Sequence, residues 1–444
     1  MQKKIIVIGG GMAGTSAAHH LLKRGYEVTI IEKNGRLGGR VRSEIHDGIA
    51  VEYGAGFITN MYSNMLRYLK EQGLSNRLCP YWSLPGIFRG GHVKMFSFAN
   101  VFNARIVSWR AKFLLPISLL GPLRHWHAFD PLHAERLAEY DDASVAEHYR
   151  SKTGKEVLEY LVQPILTATF HWLPDVAKRT SEAILLFCAK ALVVRGGTYL
   201  FQGGLQRIPE TLAKGSSVLL NRIVIQVKKT EDGTYTVTLR DENDVEETLT
   251  ADGVVCATTA TTVLRIFRNL ASYQRIFFEG IRYTSVSYLG RTYREKDVRG
   301  NRGIVFPPSE GLAITHIATL REPDTENKNS SVASVKASIA GTLYEQGDDV
   351  VLHTLTKGLG RAHSALFFGN PEPLSTFTWH WEEMLPIMEV GYFKRLKAFL
   401  AEEEKSDEPL VFAGDYLSSP FMEGAFSSGM RAAERLHTIF QADR

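Results

Sequence analysis

The chain has 444 residues, 44% of them hydrophobic, which is more than one hydrophobic core usually organises and enough to bury a large interior in two domains. Charged residues make up 23% and nearly balance at a net +4, which argues against a nucleic-acid partner. No apolar run is long enough to span a bilayer and strand-forming residues begin at once, so neither a membrane span nor a cleavable leader is expected, and the cytoplasm is the expected location.

The first elements are the most informative. Ile5-Ile6-Val7-Ile8 reads as a β-branched strand that runs into Gly9-x-Gly11-x-x-Gly14, and a helix is predicted from Met12 to Lys23 with Gly25 as its stop. A second strand, Val28 to Ile31, ends at Glu32. In this order the glycines have separate tasks: Gly9 permits the tight turn, Gly11 lets a pyrophosphate approach bare backbone, and Gly14 lets helix and sheet pack closely. The helix N-terminus offers free N–H groups to phosphate. Glu32 stands where a carboxylate accepts hydrogen bonds from ribose hydroxyls. These features describe a dinucleotide site and fit NAD and FAD alike.

The next segment, Gly35-Arg36-Leu37-Gly38-Gly39-Arg40-Val41-Arg42-Ser43, adds paired glycines for close backbone approach and an arginine fork for phosphate oxygens. This R-x-G-G-R-x-x-[ST] continuation resembles that of the flavin-containing amine oxidase, protoporphyrinogen oxidase and carotenoid desaturase superfamily. A third match lies near the other end. There Leu410 to Asp415 reads as a strand closing in Gly414-Asp415, and Met422-Glu423-Gly424-Ala425 opens a helix.

The resemblance implies an α/β fold in which a Rossmann-type FAD-binding domain is interleaved with a substrate domain of mixed sheet and helices. The expected segments are 1–85, 190–262 and 405–444 for the flavin, and 86–189 and 263–404 for the substrate. It further implies cofactor contacts from Gly9, Gly11, Met12, Ala13, Gly14, Glu32 and Lys33, from Arg36, Gly38, Gly39 and Arg40, and from Gly54, Ala55, Gly56 and Phe57. Val224 resembles an adenine-side valine, although an ordinary core position explains it equally well. Trp381 opens a W-x-x-x-x-P segment, and Gly414, Asp415, Met422, Gly424 and Ala425 close the site. Tyr392 and Phe421 are expected at the flavin's substrate face, with hydrophobic core as the alternative. No cysteine occurs near Gly391, so the FAD is expected to be noncovalent.

Between these motifs the pattern is plainer. Helices are predicted over 144–149, 156–162 and 207–213, strands over 217–220, 223–228, 235–239 and 253–257, and further strands over 285–289, 313–320 and 332–340, with 322–330 a polar loop. Cys79, Cys188 and Cys256 form no C-x-x-C pair and read as buried thiols. His19-His20 and the loop-like His125-x-His127 lack the partners of a metal site. Arg105, Arg110, Lys112 and Arg124 flank the apolar run 113–120, which suits contact with a membrane surface or packing on the substrate domain.

By resemblance, the reaction is hydride removal from a C–H bond of a largely apolar or aromatic small molecule, with oxygen, a quinone or another acceptor reoxidising the flavin. Amine oxidases commonly carry a lysine on the strand that reads Tyr283 to Tyr288 here, and none is present. That favours porphyrinogen- or desaturase-type chemistry over amine oxidation. A flavin-dependent isomerase and a non-catalytic binding protein of the kind that escorts prenylated GTPases remain as alternatives.

Overall fold

The computed structural model describes residues 2–96, 106–152, 154–193, 197–321 and 332–442. Arg105, the predicted loop 322–330 and the Cys188 side chain lie outside the described residues.

Strands from far-separated parts of the chain build one parallel sheet of five, in the order Ser217–Leu219, Glu27–Ile31, Lys4–Ile8, Gly253–Cys256, Leu410–Phe412. Its central strand is apolar on both faces because both are covered. Ile5 and Val7 face the helices Met12–Leu22 and Met422–Ala442, whereas Ile6 and Ile8 share a core with the antiparallel strands Ile223–Lys229 and Tyr235–Arg240. The two helices cross closely. Ser16 Oγ donates to the Phe426 carbonyl at 2.7 Å, and a Cβ added at Gly429 would lie 2.2 Å from the Ala13 carbonyl oxygen.

The second sheet has seven strands, in the order Ser375–Pro386, Tyr283–Arg294, Val332–Ala340, His316–Leu320, Arg302–Val305, Leu84–Arg89, His92–Met95. All its pairings are antiparallel except that between Arg302–Val305 and Leu84–Arg89. Strand alternation divides its residues between two environments. Ala333, Val335, Ala337 and Ile339 pack under helix Asp348–Arg361 through Val351 and Leu355, and Lys336 and Ser338 turn to the opposite face.

The predicted helices near 144 and 156 are present as Val145–Lys152 and as Lys155–Val157, which continues through a π-helical turn, Leu158–Val162, into Gln163–Phe170. The strands Leu84–Arg89 and His92–Met95 were not among the predicted elements. Pro85 and Gly86 blur the alternation there, and pairing with Arg302–Val305 supplies what local propensity does not. His125 closes the helix Trp109–His125 and Trp126–Ala128 forms a 3-10 turn, where a loop was expected.

Candidate active site

A cavity of about 1040 Å³ runs between the parallel sheet and the seven-stranded sheet. That is at or beyond the roughly 300–1,000 Å³ of a pocket for one small molecule, and it leaves room for a cofactor and a substrate together.

Its first end is built from the glycine motif. Gly9 (φ +102°) turns the chain, and Gly9, Gly11, Met12 and Ala13 line the cavity. Helix Met12–Leu22 begins at Gly11 without a side-chain cap and with no acidic residue in its first turn, so its leading N–H groups keep their capacity for an anion. Gly14 lies behind the cavity wall, where an added Cβ would come within 1.9 Å of the Gly9 carbonyl oxygen. Its task is therefore packing.

Glu32 and Lys33 line the same end. The Glu32 carboxylate accepts from Gly10 N at 2.8 Å and from Asn34 N and Nδ2 at 2.9 and 2.6 Å, which fixes both oxygens at the strand end. Arg36, Gly38 and Gly39 follow along the wall, with Arg36 Nη2 donating to the Gly39 carbonyl at 3.1 Å. Burial, with Arg42 nearby, draws the Arg36 pKa below its ordinary value.

Arg40 and Asp415, 375 residues apart, meet as a bidentate pair, with Nη1–Oδ2 at 2.8 Å and Nη2–Oδ1 at 2.9 Å, and Arg40 Nη1 also donates to the Met384 carbonyl at 2.7 Å. The arginine fork is thus directed at a carboxylate of the protein as well as at the cavity. Gly54 is pressed against Arg40: its Cβ would lie 1.9 Å from the Arg40 carbonyl oxygen. Ala55, Gly56, Phe57, Val224, Trp381, Gly414, Met422 and Ala425 complete this end, with the Trp381 indole donating to the Tyr53 carbonyl at 2.6 Å. Gly424 stands behind the wall, close against the Ser419 backbone.

Residues 12–437 match the model of a family described as flavin containing amine oxidoreductase. The chain belongs to that family. It is similar to protoporphyrinogen oxidase 2 of Arabidopsis thaliana, at 23% identity over 97% of this chain and 93% of that protein, and to coproporphyrinogen III oxidase of Bacillus subtilis, at 23% identity over 95% and 94%. Its fold is shared with cyclohexylamine oxidase from Brevibacterium oxydans, with a TM-score of 0.73 and 17% identity over the whole of both chains. The protein is a flavin-dependent oxidoreductase with the flavin amine oxidase fold.

The residues present fit a flavin dinucleotide. An uncapped helix N-terminus, glycines that bring bare backbone to the cavity, and a carboxylate at the end of the second strand converge on one end of the chamber. Helix Met422–Ala442 presents Met422 and Ala425 to the same space, so its N-terminal dipole favours negative charge there.

One expectation fails. Tyr392 does not reach the cavity: it is 1% exposed, packs in the main core, and donates its hydroxyl to the Tyr416 carbonyl at 2.7 Å. Helix Tyr392–Glu403 buries Tyr392, Phe393, Leu396 and Phe399 on one stripe, and that stripe sets the direction of the ring. Phe421 does line the cavity, packed on Phe187 with ring centroids 4.2 Å apart.

His171, Tyr288, His316 and Lys336 also line the cavity and were not singled out in the sequence. The available signal was a lysine in the middle of an alternating strand, in Val332–Ala340, beside the strand where a lysine had been sought.

Proposed function

We propose that the protein is a noncovalent FAD enzyme that takes a hydride from a C–H bond of a largely apolar substrate, in porphyrinogen oxidase- or desaturase-type chemistry, with oxygen, a quinone or another acceptor closing the cycle. Bound FAD would supply the two-electron acceptor; the chain's residues supply its cradle, a dry chamber and the orientation of the substrate. One observation carries the reading. Ile165, Phe187, Val305 and Phe421 give the cavity an apolar wall suited to an apolar substrate. The intact cradle weighs against a binding protein that works without flavin. Cys79 and Cys256 are buried and do not line the cavity, which supports a noncovalent cofactor.

The test is anaerobic flavin reduction with a panel of porphyrinogens, polyenes and amines. A porphyrinogen or polyene should bleach the flavin, Phe421→Ala should slow that step by roughly ten- to a hundredfold as the substrate loses a rigid wall, and acid precipitation should leave FAD in the supernatant. Bleaching by amines alone would overturn the reading. A product of unchanged oxidation state would move the protein to the isomerases.

We further infer peripheral membrane contact of a protein otherwise expected in the cytoplasm. Among the described residues no helix is long and apolar enough to cross a membrane. Helix Trp109–His125, however, exposes Trp109 (77%), Phe113 (71%), Ile117 (51%) and Leu120 (63%), spaced as one face, with Arg110, Lys112 and Arg124 on the same helix. The protein should co-sediment with vesicles containing anionic lipid, and Trp109→Ser/Phe113→Ser should lower the bound fraction severalfold with activity on a water-soluble substrate retained. Equal sedimentation of the variant would return this face to protein packing.

A further inference from the structure

A stack of aromatic rings leads from the cavity wall to the protein surface. Tyr288, on strand Tyr283–Arg294, lines the cavity and stands directly across from Trp379 on the neighbouring strand, with the two rings 4.8 Å apart and within 13° of parallel. Trp379 in turn meets Tyr53, with centroids 4.3 Å apart. Tyr53 follows strand Ile49–Glu52, and its ring stacks with that of His46, which ends the paired strand Ser43–His46. Phe377 braces this end: it stacks on His46 at 4.0 Å and lies over Gly290, where an added Cβ would come within 2.1 Å of its ring. Tyr288, Trp379 and Tyr53 are buried, whereas the His46 side chain is 23% exposed.

Packing explains the stack but not the partners of its two phenols. The Tyr288 hydroxyl lies 2.8 Å from His171 Nε2, and the Tyr53 hydroxyl lies 2.8 Å from His46 Nε2. The Glu44 carboxylate stands beside the second pair, 3.6 Å from His46 Nε2. Burial raises the pKa of both phenols, joined at Tyr53 by Glu44, so neither ionises on its own. A cation also faces each ring: Lys336 Nζ lies 5.2 Å from the Tyr288 centroid, and the Arg42 guanidinium 4.7 Å from that of Tyr53. Positive charge on either ring is therefore disfavoured, and each phenol gives up an electron readily only as its proton leaves. The two histidines stand where those protons would go. Burial, then Lys336 and His316, draws His171 down to about 3, which keeps that ring neutral. An oxidised phenol is a far stronger acid than an imidazolium, so even this weakened base can take its proton.

We propose that Tyr288, Trp379 and Tyr53 form a relay that carries an oxidising equivalent out of the flavin chamber to the surface beside His46. The relay is separate from the hydride reaction and concerns oxygen-derived radicals of the hydroxyl class formed where flavin meets oxygen. Such a radical takes one electron from Tyr288 and leaves as hydroxide, while the Tyr288 proton moves to His171 Nε2. Trp379 returns an electron to Tyr288 as that proton comes back. Tyr53 then refills Trp379, and its own proton passes to His46 Nε2. A solution reductant of the ascorbate or thiol class supplies one electron to Tyr53, and His46 returns the proton. One radical is reduced, one reductant is oxidised, and no residue is consumed. Trp379 is the ring that contacts both phenols, so it is the link on which the relay depends.

The test is flash photolysis of the flavin-loaded protein without substrate or oxygen, because blue light turns a bound flavin into a one-electron oxidant of aromatic side chains. Transient absorption and freeze-quench electron paramagnetic resonance should show a tyrosyl radical that outlives the flash. The signal should be lost in Tyr53→Phe and in Trp379→Phe, which keeps a ring in the stack but not an easily oxidised one. Ascorbate should shorten its lifetime in proportion to concentration. Neither Tyr53 nor Trp379 lines the cavity, so both variants should load flavin like the wild type. No tyrosyl signal in the wild type, a signal unchanged in either variant, or a lifetime insensitive to ascorbate would each overturn the relay. Tyr53→Phe removes only a hydroxyl, so with the ascorbate series it decides the matter even if Trp379→Phe fails to load flavin. No substrate is turned over. A failure of every porphyrinogen and polyene to bleach the flavin would thus overturn the proposed reaction while leaving the relay to be judged separately.

Discussion

Arg40→Ala is expected to purify with little flavin and to melt well below the wild type. Its guanidinium holds the 5%-exposed Asp415 side chain through two hydrogen bonds and ties Met384 to the same point. Removing it leaves a buried carboxylate without its cation, at a cost of about 3 kcal/mol, toward the lower end for buried pairs because Arg40 is partly exposed. The loss falls on the cofactor because Gly414 and Asp415 are themselves cavity wall. Arg40→Lys should be intermediate, since it keeps the charge and loses the fork. The ratio of flavin to protein absorbance, with a thermal melt, reads both effects. Full flavin content in Arg40→Ala, and likewise in Glu32→Ala, would show that neither residue belongs to the cradle.

Gly429→Val should be at least as damaging, although Gly429 itself does not line the cavity. Its Cβ would lie 2.2 Å from the Ala13 carbonyl oxygen and 2.9 Å from Ala17 N, so helices Met12–Leu22 and Met422–Ala442 would have to separate. Overpacking costs about 1–3 kcal/mol where side chains can shift, and here the obstacle is backbone. Both helices present their N-termini to the cavity, so separating them should empty it of flavin. Gly360→Ala, in helix Asp348–Arg361 with nothing within 4 Å of the new Cβ, is the control and should retain its flavin. A wild-type melt for Gly429→Val would mean that the two helices do not cross as described.

The glycine motif was legible in the sequence because its requirements are local. A tight turn at Gly9, a close approach at Gly11 and an apolar strand on each side are short-range steric facts that any chain with these residues must satisfy. Arg40 and Asp415 were each recognisable for the same reason, as a fork beside paired glycines and as a carboxylate at a strand end. Their mutual pairing was not, since it joins positions 375 residues apart and depends on the sheet that brings Leu410–Phe412 beside Gly253–Cys256.

Side-chain direction divided along the same line. Tyr392 stands next to a segment expected at the cofactor, yet the apolar stripe of its own helix turned it into the core. That stripe was present in the sequence and carried more weight than adjacency. Lys336 shows the converse. Alternation along Val332–Ala340 required it to point away from Val335 and Ala337, but whether that face met solvent, a helix or a chamber was decided by what the rest of the chain laid against it. By itself the sequence determined the dinucleotide turn, the family and the chemical types at the cofactor end, because local sterics and charge suffice for them. Only the tertiary structure decided that Lys336 and His171 line one cavity, because that depends on strand order and helix closure across more than 160 residues.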